Sequence, residues 1–278
     1  FEGMAPFDPN TLTRADQEAR FGQNNDMLAL FPARFAYPKA TGQRRFLLCA
    51  NHEYFDPSLM FPAVARPTDF TPGQIAAMFA SMGVGIVQVE QQGRTWRVIR
   101  EPKGPRALNR RITPFTPVAF EGPAKDHPWI AAAGQVVNRF EPGAGPGQIA
   151  CGTMANCAGG ETPWGTYLTA EENFQSYYFN SNSAAAAPAT PTAATVDATS
   201  YGYPLTRTMA RPGTPSQFDL AQNPTGPALY GWTVEIDPYD PTSTPRKRTA
   251  MGRRKGECAT TALTRGRKVA VYAGDDQG

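Results

Sequence analysis

Residues 156–174, NCAGGETPWGTYLTAEENF, decide how the chain is read. They set Cys157 ahead of the pair Gly159-Gly160 and the turn Pro163-Trp164-Gly165. A short apolar run and two adjacent glutamates, Glu171 and Glu172, follow. Glycine and proline at this spacing punctuate strands rather than helices. Turns account for the glycines and the proline. They do not account for a thiol and paired carboxylates at the two ends of one short strand, so these residues are candidate ligands for a common site.

The same grammar continues outward. Residues 24–33, NNDMLALFPA, read as a polar turn feeding a strand, and residues 44–54, RRFLLCANHEY, as a buried strand ending in polar residues. Residues 70–83 are predicted to form a helix. Thr71 caps it, Pro72 fits its first turn, Gly83 stops it, and Ile75, Met78, Phe79 and Met82 share one face. Residues 84–90 and 95–101 flank QQGR as a hairpin. Further short strands are expected at 117–120, 165–170, 231–237 and 268–273. Residues 181–200, SNSAAAAPATPTAATVDATS, carry almost no large apolar side chain and read as a surface loop insertion. Many short strands with one helical excursion suggest a mainly β fold, a propeller or a large sandwich. No fixed-period repeat separates the two.

Composition narrows the function. The chain of 278 residues has 27 basic and 24 acidic side chains, a net charge of +3. With no helix-turn-helix, zinc-finger or RNA-binding signature, nucleic acid is not an expected partner. No apolar run is long enough to cross a bilayer. The basic groups at 246–254 and at Arg110-Arg111 read as solvated faces, with an anionic substrate as the functional alternative. Only two histidines are present, His52 and His127, and there is no CxxC pair, which sets zinc sites aside. Cys49 and both histidines read as structural. A Cys151–Cys157 disulfide stays open on the even cysteine count.

Four polar groups end apparent strands. They are Asn51, His52 and Glu53; Cys157 with Glu171, Glu172 and Asn173; Arg253, Arg254, Lys255 and Glu257; and Asp275 with Asp276. Hard cations take several oxygens, and a thiolate beside carboxylates suits iron. One chain segment cannot surround an ion, whereas strand ends converging from several segments can. Such a site could neutralise phosphate and activate water.

These motifs, in this order, resemble the PhoX-type alkaline phosphatases: NHEY, NCAGGETPWGTYLTAEENF, YGWTVEIDPYDP, the Gly-Glu of GRRKGECA, and GDDQG. The likeness runs from about residue 24 to residue 278. It implies a six-bladed β-propeller, of which residues 1–278 would be the N-terminal part with an extra helix and long loop insertions. The remainder of the propeller would be further chain beyond 278. It also implies a phosphate monoesterase using ferric iron and calcium on a small phosphoester, exported by the twin-arginine route to the periplasm or the exterior. Carried over by motif, Cys157 is the iron ligand and Glu172 and Glu257 are metal carboxylates, with Glu171 the competing choice for Glu172. These three, Cys157, Glu172 and Glu257, are the expected catalytic set. Asn51, Glu53, Asp275 and Asp276 follow by motif position, and Arg253 and Arg254 (or Lys255) as phosphate binders. Where many members have His-Glu, this chain has Gly256-Glu257. A non-catalytic extracellular propeller used for binding or assembly is the alternative, and a phosphodiesterase or phosphotriesterase a third.

Overall fold

The computed structural model describes residues 6–34, 42–99, 107–181 and 214–276. Thr13 opens helix α1 (Arg14–Glu18) through a reciprocal cap with Asp16. Strands β1 (Asn25–Pro32) and β2 (Gln43–His52) follow, then the single turn α2 (Pro57–Met60) and helix α3 (Pro72–Ser81). Next come β3 (Gly83–Gln92), β4 (Thr95–Val98), β5 (Arg110–Ile112) and β6 (Val118–Glu121). Helix α4 (Pro128–Phe140) precedes β7 (Gln148–Ile149), β8 (Asn156–Glu161) and β9 (Tyr167–Glu171). The last strands are β10 (Thr233–Ile236), β11 (Arg246–Arg248), β12 (Thr260–Leu263) and β13 (Val269–Tyr272).

The chain is mainly β, as expected. Among the described residues the strands form three sheets. The first runs β1-β2-β3-β4, with β5 also paired to β3. The second runs β7-β6-β11-β10-β9-β8, and the third is the β12-β13 hairpin. None closes on itself. The pair β11–β6 is parallel, which places β11 well inside the second sheet.

The predicted helix is α3. Thr71 accepts from the amide of Gln74 and Gln74 reaches back to Thr71, while Pro72 fills the first turn. Its buried face carries Ile75, Met78 and Phe79, and Phe79 stacks 4.6 Å from Phe218 within an aromatic cluster that includes Tyr177, Tyr178 and Tyr230. A second long helix, α4, corrects the expectation of a single helical excursion. Its start signals are present in the sequence: Nδ1 of His127 accepts from the amide of Trp129, and Pro128 stands in the first turn.

Two other readings change. Residues 246–248 are not a solvated face. Arg246 and Arg248 project outward to Glu121 and Glu235, and Lys247 between them is fully buried. Strand alternation produces this pattern, with successive side chains on opposite faces. Arg111 is buried as well. Its guanidinium caps the end of α3 by donating to the carbonyls of Ala80, Ser81 and Met82. Arg110 likewise donates to the carbonyls of Asp237 and Pro241.

Gly159 and Gly160 lie within β8, not in a turn. A Cβ on Gly159 would overlap the backbone carbonyl of Leu168, and one on Gly160 that of Ala259. Close backbone approach is what a glycine inside a strand permits. Gly159→Ala is therefore expected to cost ~1–3 kcal/mol in a urea melt, the usual range for overpacking. Gly73→Ala in the first turn of α3, where a Cβ finds only Thr71 Oγ1 at 4.0 Å, should leave stability at or above wild type.

Candidate metal centre

The site begins with two irregularities in otherwise regular ladders. In β1–β2, Asn25 pairs with His52 and Leu28 with Ala50, so Asp26 and Met27 stand opposite Asn51 alone. In β8–β9, Asn156 pairs with Glu171 and Gly159 with Thr169, so Cys157 and Ala158 stand opposite Ala170 alone. Each is a one-residue bulge, a device that re-aims a side chain out of its strand's alternation. Each bulged strand is entered through a non-glycine residue in the left-handed region, Asn24 at φ 46° and Ala155 at φ 51°. The two bulges meet: Cys157 Sγ lies 3.4 Å from Asp26 Oδ2.

Asn51 lies between them and is fully buried. Its Nδ2 donates to the carbonyl of Cys157 at 2.7 Å and to that of Ala158 at 3.3 Å, the two bulge residues of β8. Its Oδ1 accepts from the Tyr167 hydroxyl at 2.8 Å. The side chain expected as a ligand thus has its amide engaged with backbone and tyrosine.

The carboxylates come from separate segments. Glu53 follows β2, and its amide donates to the Asn24 carbonyl at 3.1 Å. Glu172 follows β9, Glu257 precedes β12, and Asp276 follows β13. One oxygen from each of Glu172, Glu257 and Asp276 lies within 4.8 Å of the other two. Glu53 faces Glu172 and feels the charges of Asp26 and Glu257. The loops are tied by backbone bonds: Glu257 N to Gly274 O at 3.2 Å, Ala158 N to Glu257 O at 3.0 Å, and Asp276 N to Lys255 O at 3.2 Å.

Such crowding penalises negative charge. Burial, then the neighbouring Glu53, Asp276 and Glu257, push Glu172 up to about 7. Burial and then Asp26 raise Glu53, and the same two causes raise the Cys157 thiol far above its ordinary range. Lys255, with Nζ 3.8 Å from Asp276 Oδ2, opposes the effect at Glu172. Carboxylates that raise one another are the environment a bound cation inverts.

The other expected residues lie apart from this group or are engaged elsewhere. Glu171 points away from Glu172, as strand alternation demands, and pairs with Lys247 at 2.7 Å. Arg253 donates to the carbonyls of Tyr230 and Pro227, each at 2.7 Å. Arg254 donates to Met251 O and Thr233 Oγ1. Asp275 is exposed and its backbone bridges Gly256. His52 is buried, packs edge-on to Phe21 and is held neutral, its imidazolium form pushed down to about 3 by burial and then by Arg111. All four cysteines are free, so Cys151 and Cys157 are not paired. A Cβ at Gly256 would stand 3.0 Å from the Cβ of Ala170, so a larger residue there requires a small local shift. Asp26 was not among the expected ligands. Its only sequence signal is a carboxylate in the polar turn 24–26.

The alkaline phosphatase PhoX family profile matches residues 1–278. The chain belongs to this family. Among solved structures, the Pseudomonas fluorescens PhoX in complex with vanadate, a transition state analogue, is similar at TM-score 0.74 and 33% identity. The similarity covers 99% of this chain and 43% of that PhoX chain, so the chain spans less than half the length of its solved relative. A comparison with curated proteins finds no match.

The charge crowding in this PhoX-family chain has a measurable consequence. Glu172 ionises near 7 when folded, against 4.5 for an ordinary glutamate. Stability linked to its protonated form is therefore complete below pH 4.5 and is lost as the pH climbs through about 7. In chelator-treated protein, the melting temperature of wild type should fall relative to Glu172→Gln across that window. Parallel curves for the two proteins would contradict the crowding.

Proposed function

We propose that the chain carries part of the active site of a metal-dependent phosphatase that hydrolyses phosphate monoesters and releases inorganic phosphate. The observation that carries this reading is the convergence of Glu172, Glu257 and Asp276 from three segments onto one point. Glu53, Asp26 and the Cys157 thiol stand around them. The donor set fits ferric iron and calcium, with carboxylate oxygens for the hard ions and one thiol for iron. Glu172, Glu257, Asp276 and Glu53 would hold the ions together with Cys157, and bound ions would neutralise phosphate and lower the pKa of a bound water. Asp26 Oδ2, already accepting from Cys157 Sγ–H, is placed to take up the thiol proton. Asn51 keeps the Cys157 carbonyl and the β8 bulge in place. Lys255 is the cation best placed to meet an anionic substrate beside the carboxylates.

The vanadate bound by the PhoX relative supports phosphoryl chemistry at this family's site. The resemblance further supports a six-bladed propeller to which this chain contributes part, and export to the periplasm or the exterior. Among the described residues no helix is long and apolar enough to cross a membrane.

The test is metal analysis and p-nitrophenyl phosphate hydrolysis by the complete protein. Iron and calcium are expected in the purified protein, with activity lost to a chelator and restored by the ions. Glu172→Gln and Cys157→Ala should each lower kcat by at least 10–100-fold, roughly the loss seen when even outer-shell partners are removed. Full activity in the chelated, folded protein would refute the reading.

A further inference from the structure

We propose that the buried ion pair Lys247–Glu171 is a positioning element that fixes the spacing of the Glu172, Glu257 and Asp276 carboxylates. The inference rests on the metal-centre reading above. Both members of the pair are fully buried. Glu171 Oε1 accepts from Lys247 Nζ at 2.7 Å, and Oε2 accepts from the amide of Trp232 at 3.0 Å. Lys247 Nζ also donates to the carbonyl of Leu229 at 2.6 Å and lies 4.2 Å over the Tyr230 ring. The pair therefore joins β11 to the end of β9 across the intervening β10.

Residue 171 is the junction of the site. Its carbonyl accepts from the amide of Gly256 at 2.9 Å, one residue before Glu257. The next amide in the chain, that of Glu172, donates to the carbonyl of Ala155 at 2.8 Å. From the 256 segment, Lys255 O receives the amide of Asp276, and Glu257 N reaches Gly274 O. All three carboxylates thus hang from backbone tied directly, or through one further segment, to residue 171. Their side chains repel one another, so their spacing must be imposed by the backbone that carries them.

A buried ion pair is a poor source of net stability, because desolvation of both charges offsets their attraction. Apolar side chains of similar volume would hold β9 and β11 together about as well. A directional pair that also engages Trp232 and Leu229 allows one placement of the β9 end, and an apolar contact tolerates several. Fixed placement is what a multidentate site requires, since ligand geometry is set by the groups behind it.

The test uses the complete protein, metal-free, with terbium ion as a luminescent probe competed by calcium. The variant Lys247→Met/Glu171→Gln removes both charges and keeps an acceptor for the Trp232 amide. It is expected to fold with a melting temperature near wild type and to bind terbium about 10-fold more weakly, within the usual range for lost outer-shell support. Affinity is measured well below each melting temperature, so a merely structural role would leave it unchanged. If the double variant does not fold, Lys247→Met alone decides, since the Glu171 left behind can take up a proton and stay uncharged, with the same weakening expected. Wild-type terbium affinity in the folded variant overturns the positioning role. Glu172→Gln serves as reference. If it too leaves terbium binding intact, the metal-centre reading falls with the inference. If it abolishes binding while the pair variants do not, only the positioning role falls.

Discussion

The Asn51 amide is the constraint on which the site depends. Two sheets meet where β8 passes the ends of β1 and β2, and both ladders slip by one residue there. A bulge leaves backbone groups without ladder partners, and buried carbonyls without partners are costly. Asn51 Nδ2 takes the carbonyls of both bulge residues of β8. The Tyr167 hydroxyl then satisfies Asn51 Oδ1 and lies 3.5 Å from the Met27 carbonyl in the β1 bulge. One amide and one phenol therefore hold two local departures from β geometry in register. The product of those departures is the approach of Cys157 to Asp26.

Charge is partitioned by the same strand logic. Glu171 and Glu172 are neighbours in sequence and face opposite ways. Glu171 meets a lysine in the core, and Glu172 meets only carboxylates and the flank of Lys255. The paired one is satisfied within the fold. Burial raises both, but Lys247 opposes the rise at Glu171, whereas the neighbouring carboxylates push Glu172 further. Adjacent glutamates thus do unrelated work, one holding the sheets and the other presenting charge that only a cation or a proton can offset.

Much of the fold is legible in the sequence because it rests on local signals. The Thr71-Pro72 start of α3, the hairpin around Gly93 and the apolar runs of β2, β9 and β10 each follow from a few consecutive residues. Helix α4 was equally local, and its His127-Pro128 start was obscured by surrounding turn residues. The glycines of β8 mislead for a different reason. They read as turn formers, yet they serve the passage of Leu168 and Ala259 backbone, partners 9 and about 100 positions away in the chain. The basic run 246–248 misleads because burial of Lys247 depends on where Glu171 ends up, 76 residues earlier. Motif order pointed to Glu172, Glu257 and Asp276, which the fold brings together. It could not show that the polar atoms of Asn51 and Glu171 are engaged with backbone, tyrosine and lysine, which only the tertiary structure reveals. Asp26 escaped notice because its proximity to Cys157 needs two bulges, and neither bulge has a sequence signature here.

The arrangement also explains why these acids sit on loops at strand ends and not within strands. Inside a sheet, cross-strand neighbours approach to about 5 Å, and like charges directly opposite destabilise the pairing. Glu172, Glu257 and Asp276 bring carboxylate oxygens within 4.8 Å of one another without being cross-strand partners. Each is carried on a short connection whose amide is fixed to a carbonyl of another segment. Placing the charge at the ends also lets a cation approach from solvent, since Glu257 and Asp276 are exposed while Glu172 is buried behind them. Of the three acids, Glu172 is thus the innermost and Glu257 and Asp276 the outermost.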